Sequence, residues 1–193
     1  MNPQPSTPAG WDDEGMAADG RRTAPFSVCF VCTGNICRSP MADVVLRAMA
    51  EATTGWGGRL AVSSAGTGNW HQGEPMDPRA RQALESAGYR DHGHVARQFV
   101  PASMTQLDLV VALDRRHLQI LRGLASARGA ALPEDRLVLL RQFDRRAGGS
   151  LDVPDPYYGD DAAFAECLSM VEAGCRGLTS VLATRFDADP VLP

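Results

Sequence analysis

Long apolar runs are missing from this chain. No segment supplies the roughly 18 consecutive apolar residues of a membrane span, and the Pro- and Gly-rich opening from Met1 to Ala24 lacks the apolar stretch of a signal peptide. A basic excess is missing as well. With 19 Lys and Arg against 23 Asp and Glu, the net charge is -4. Sequence-independent binding to nucleic acid or to anionic lipid needs a basic surface that displaces counterions, so neither partner is expected. A disulfide framework is also absent. The five cysteines are odd in number, and Cys29, Cys32 and Cys37 crowd into one short stretch, which fits a reducing compartment with at least one functional thiol. A cytoplasmic location follows, with signal-independent export as the alternative.

What is present suffices for one core. A hydrophobic content of 44% over 193 residues predicts a single domain over 25–187; a monomer is expected, though no residue pattern fixes the oligomeric state. The domain lies between a disordered tail over 1–24 and a short C-terminal tail over 188–193. Within the domain, short apolar runs alternate with helical periodicity. FSVCFV at 26–31 reads as a strand buried on both faces. Ser39 as N-cap and Pro40 at the first helical position open a helix bearing Met41, Val44, Val45, Ala48 and Met49. Leu60 to Ser64 is strand-like, and Asp77-Pro78 opens a helix closing at Gly88. Leu107 to Leu113 is a third strand, followed by a helix capped by Asp114, and Leu137 to Leu140 is a fourth. Asp160 or Asp161 starts a last helix with Phe164, Cys167, Leu168, Val171, Cys175, Leu178 and Leu182 on one face. Four strands separated by helices predict an α/β fold of three layers, a four-stranded parallel sheet flanked by helices on both faces.

The chemistry concentrates between the first strand and the first helix, in Cys32-Thr33-Gly34-Asn35-Ile36-Cys37-Arg38-Ser39. Free N–H groups at a helix start, aided by the helix dipole, form an anion site, and Gly34 lets the loop curl. Arg38 adds a planar bidentate donor for two phosphate oxygens. The same positive field favours a thiolate at Cys32. Ser39 can donate its hydroxyl to that sulfur, and Asn35 tolerates a left-handed conformation while its amide bridges the loop. Cys29 and Cys32 also form a C-x-x-C, but a zinc site of this type wants a second pair, which the sequence lacks. Period-2 alternation moreover aims the two at opposite faces of the strand, leaving Cys29 as core.

CTGNICRSP at 32–40 resembles the C-x5-R-S phosphate loop of the low-molecular-weight protein-tyrosine phosphatases. SSAGTGNWHQG at 63–73, VALD at 111–114 and DPYYGD at 155–160 are similar to that family in sequence and order, bacterial members especially. The resemblance implies a metal-independent, cofactor-free phosphatase acting on phosphotyrosine-containing proteins. It implies Cys32 as nucleophile, Arg38 as phosphate ligand and Asp155 as general acid and then base. Thr33, Gly34, Asn35, Ile36, Cys37 and Ser39 would cradle the phosphate, and Trp70, Tyr157 and Tyr158 would rim an aryl slot. His71 would support the loop by a hydrogen bond to Asn35. From the residues alone, Asp155 reads equally well as an Asx-turn and Trp70 as a loop anchor. Asp114 is similarly placed to a family aspartate, with His117 where an Asn is usual. Cys37, within the loop, is expected to form a reversible disulfide with Cys32 under peroxide. An arsenate reductase shares such a loop but needs relay thiols, and no cysteine falls between Cys37 and Cys167. A non-hydrolysing phosphotyrosine-binding module would lack the nucleophile or the acid, and both are present.

Overall fold

The computed structural model describes residues 24–127 and 133–188. The expected tails, 1–24 and 188–193, lie outside the described residues apart from Ala24 and Ala188. Four strands, β1 (Phe26–Cys32), β2 (Leu60–Gly66), β3 (Leu109–Ala112) and β4 (Leu137–Leu139), form one sheet in the order β2-β1-β3-β4. All three pairings are parallel. The helices are α1 (Arg38–Glu51), α2 (Pro78–Ser86), α3 (Arg115–Ala127) and α4 (Asp161–Ala188).

Alternation along the strands divides the core in two. Phe26, Val28, Phe30 and Cys32 of β1 join Leu109 and Val111 of β3 beneath α1, α2 and α4. Cys29 and Val31 join Val110 and Ala112 beneath α3 and the 3-10 turn Pro101–Gln106. Cys29 and Cys32 therefore belong to opposite faces, as the strand period requires. The long helix α4 buries Phe164, Cys167, Leu168, Val171, Cys175, Leu178 and Leu182, the set its 3.6-residue spacing predicts.

The clearest differences from expectation fall at three boundaries. The third strand is shorter, because Leu107 closes the 3-10 turn and the Asp108 amide donates to the Ser27 hydroxyl at 3.0 Å instead of joining a ladder. Leu140 leaves the sheet to open another 3-10 turn, Leu140–Phe143. Helix α1 begins at Arg38 with Cys37 in the N-cap place and no side-chain cap. Ser39 is thus inside the first turn, and Pro40 occupies another first-turn position, where a missing N–H costs nothing.

The strand order fixes where a ligand goes. From β1 the chain moves to β2 on one side and later to β3 on the other, so the connections diverge at the carboxyl end of β1. In open parallel sheets that crevice is the usual binding place, and here it is where Cys32 ends the strand.

Candidate active site

The loop from Cys32 to Arg38 closes around its own sulfur. Cys32, 2% exposed, has its Sγ 3.0 Å from the Ser39 hydroxyl and accepts the Asn35 N–H at 3.3 Å. Asn35 has φ 57, the only positive φ of a non-glycine residue among those described, and asparagine accommodates this with little strain. Its side chain then ties the loop down: Nδ2 donates to Ser39 Oγ at 2.9 Å, and Oδ1 accepts the Arg97 N–H at 3.0 Å. Among the described residues, the N–H groups of Thr33, Gly34, Ile36 and Cys37 donate to no other group. With the unsatisfied first-turn amides of α1, they provide the donors of an anion site.

Gly34 earns its place differently from expectation. Its φ is not in the left-handed region, but a Cβ there would lie 2.8 Å from His71 Cδ2. Glycine is needed for the close approach of that ring.

Arg38 is 3% exposed and held from several sides. Nη1 donates to Asp114 Oδ2 at 2.9 Å and to the Val153 carbonyl at 3.2 Å. Nη2 donates to Thr33 Oγ1 at 3.2 Å and to Asp155 Oδ2 at 2.6 Å. Its Nε is buried and has no partner. An unpaired buried charged donor is costly, so among the described residues this Nε is a donor available to a ligand acceptor. Burial works against the charge on Asp114, yet hydrogen bonds from His117 and the neighbouring His117 and Arg38 hold its carboxyl lowered to about 2.

Asp155 reaches this place because its loop is clamped. The Val153 N–H donates to the Leu113 carbonyl at the end of β3. Arg79 donates to the Tyr157 and Gly159 carbonyls at 3.0 Å each while paired with Asp77. Asp155 is also an Asx-turn residue, accepting the Tyr157 N–H at 3.3 Å. Asp152 is engaged by the backbone and side chain of Arg115. Tyr157 and Tyr158 meet edge to face at 5.0 Å, and Tyr157 lies 6.1 Å from the His71 ring. Trp70 is 71% and Tyr158 94% exposed, too open for the anchoring role. The Trp70 ring lies against Gly68, where a Cβ would come within 1.7 Å of it.

One assignment is corrected. His71 does not bond to Asn35; its Nδ1 pairs with Glu74 Oε2 at 2.6 Å. The histidine supporting the loop is His94, whose Nε2 donates to the Asn35 carbonyl at 2.7 Å. Residues 94–97 pass beneath the loop, where the Arg97 amide also reaches Asn35, and burial lowers the pKa of His94. Arg79, in the first turn of α2, and His94 and Arg97, in a polar loop, have no motif that marks them.

Burial holds the remaining thiols in the protonated form. Burial raises Cys29 to about 11 and Cys167 to about 12. Cys37 is pushed higher by burial and by the charges of Asp77 and Cys32. Among the described residues no group of three or more His, Cys, Asp or Glu side chains could hold a metal ion, and no helix is long and apolar enough to cross a membrane.

Comparison with known proteins places these features in a context. The sequence profile described as low molecular weight phosphotyrosine protein phosphatase matches residues 27–188. A low molecular weight protein-tyrosine-phosphatase of Streptomyces coelicolor is 53% identical over 164 residues, covering 84% of this chain and 96% of the relative. Low molecular weight protein-tyrosine phosphatase A of Mycobacterium tuberculosis is 44% identical, covering 80% and 90%. The crystal structure of YfkJ from Bacillus subtilis superposes with a TM-score of 0.75 at 32% identity, covering 85% of this chain and 98% of that one.

Proposed function

Because this chain belongs to the low molecular weight protein-tyrosine phosphatase family, we propose that it hydrolyses phosphotyrosine in proteins through a cysteinyl-phosphate on Cys32, with Asp155 as general acid and then base. The observation that carries this reading is the buried, unpartnered Arg38 Nε beside the ring of free loop amides.

A phosphoryl group in the loop takes Arg38 Nε and the amides as donors and competes with Asp155 for Nη2. Asp155, released from a 2.6 Å ion pair, is then free to face the ester oxygen. In the first step the Cys32 thiolate attacks phosphorus, the phosphorus–oxygen ester bond breaks, and protonated Asp155 gives its proton to the departing phenol oxygen. In the second step Asp155 takes a proton from water, the water oxygen bonds to phosphorus, and the sulfur–phosphorus bond breaks. The Ser39 hydroxyl donates to the thiolate as it leaves. Each step needs oriented donors and a proton shuttle, and no step uses a metal. Trp70, Tyr157 and Tyr158 form the rim that accepts the phenyl ring, and a shorter phosphoserine stops above the sulfur.

The substrates are phosphotyrosine-containing proteins, met in the cytoplasm by a monomer. Cys37, in the same loop, serves as the partner for a peroxide-induced disulfide, and Cys37→Ser should recover less activity than wild type after peroxide and thiol.

The test is hydrolysis of aryl phosphates in EDTA. Wild type should turn over p-nitrophenyl phosphate, Cys32→Ser should bind phosphate without turnover, and Asp155→Ala should slow poor leaving groups most. The general-acid effect is about 10²–10⁴-fold. No release by wild type, or an equal loss across leaving groups for Asp155→Ala, would contradict the assignment.

A further inference from the structure

The guanidinium of Arg38 can face a phosphoryl group only if its plane is fixed, and the two side-chain acceptors left to fix it once a ligand displaces Asp155 stand on separate loops. Asp114 follows β3 and takes Nη1; Thr33 follows β1 and takes Nη2. One residue touches both. His117, in the first turn of α3 and 1% exposed, donates its backbone N–H to Asp114 Oδ1 at 2.8 Å. Its Nε2 lies 2.8 Å from Thr33 Oγ1.

One assignment of hydrogens satisfies these contacts. Thr33 Oγ1 accepts from Arg38, so its own proton is available for His117 Nε2 as acceptor. The ring proton then sits on Nδ1, which lies 3.0 Å from Asp114 Oδ1 as an electrostatic contact without hydrogen-bond geometry. That is the favourable side for it, because a carboxylate there attracts the N–H dipole. The threonine hydroxyl is thereby held in the one rotor that leaves an oxygen lone pair toward Arg38. Leucine would fill the same volume without doing this.

We propose that His117 is a positioning residue: by holding Thr33 and Asp114 together it orients Arg38 so that Nε faces the bound phosphoryl group. This rests on reading the loop as a phosphate site, as above.

The experiment compares His117→Gln, whose side-chain amide can reach Thr33, with His117→Leu, which only fills space. Affinity for inorganic phosphate is measured by calorimetry, KM and kcat with p-nitrophenyl phosphate, and folding by thermal melting. Loss of one hydrogen bond to the ligand-orienting group predicts about a tenfold weaker phosphate affinity for His117→Leu. His117→Gln should stay within about threefold of wild type. Thr33→Val should match His117→Leu, and the double variant should lose little more than either, because both cut the same link. Wild-type phosphate affinity in His117→Leu overturns the proposal, as does an equal loss in His117→Gln. Should both His117 variants fail to fold, unchanged affinity in Thr33→Val overturns it alone. An inactive wild type would remove the phosphatase reading, while the phosphate affinities would still decide the role of His117.

Discussion

Ser39 has one hydroxyl proton and two places to send it. Asn35 Nδ2 donates to its oxygen, leaving the proton to point either to the Ala65 carbonyl at 3.2 Å or to Cys32 Sγ at 3.0 Å. With a thiol at Cys32 the first direction is available; with a thiolate, or a sulfur leaving phosphorus, the second is the stronger bond. Hydrogen bonds to a charged group contribute about 1.5–3 kcal/mol, so Ser39→Ala should lower kcat by about 10- to 100-fold. Single-turnover kinetics should place the loss in formation and breakdown of the intermediate; an unchanged kcat would remove Ser39 from the reaction. At this scale the cluster of Cys32, Arg38 and Ser39 was legible because a phosphate loop calls for those residue types, whereas Asp155 beside Arg38 was legible only through the family resemblance. The two histidines were not. His71 and His94 both sit in polar loops without periodicity, and only the passage of residues 94–97 beneath Asn35 decides that His94 supports it.

The elements near the site are held by contacts too close for a side chain. In α4, a Cβ on Gly177 would lie 1.9 Å from the Phe143 carbonyl oxygen, and one on Gly174 would lie 2.6 Å from Leu140 Cγ. The 3-10 turn Leu140–Phe143 can therefore rest directly on the helix. Glycine costs a helix roughly 1 kcal/mol relative to alanine, so in an exposed helix Gly177→Ala would stabilise. Here backbone must move instead, and overpacking of this kind costs about 1–3 kcal/mol or more. Chemical denaturation should give a lower midpoint for Gly177→Ala; a higher midpoint would show that the contact yields freely. The helix itself was legible from its buried face, and Asp77-Pro78 from cap chemistry, since the Asp77 carboxylate does accept the Arg79 N–H. The 3-10 turns were not legible, because they are too short to show a period and are formed by packing.

Across the whole molecule, the parallel sheet follows from alternating strands and helices, but the order β2-β1-β3-β4 does not, because strand sequence carries no partner code. That order puts the divergence point at Cys32. The pH dependence of stability also belongs to this scale. Burial lowers the His94 pKa, so the unfolded chain binds its proton first as pH falls below about 6.5. Stability should then drop on acidification, and His94→Asn should flatten that part of the curve. Asp114, with its pKa lowered to about 2, contributes fully above about pH 4 and loses its contribution as pH falls toward 2. Thermal melts from pH 8 to pH 3 check both signs, and a His94→Asn curve as steep as wild type between pH 6.5 and 5 would contradict the first. The central claim, a covalent phosphoenzyme on Cys32, is tested most directly by acid-quenching Asp155→Ala during turnover of p-nitrophenyl phosphate and mapping phosphate by peptide mass spectrometry. The account predicts one phosphate on the peptide carrying Cys32, lost in Cys32→Ala. Continued product release with no phosphorylated cysteine, or with the phosphate on another residue, would contradict it.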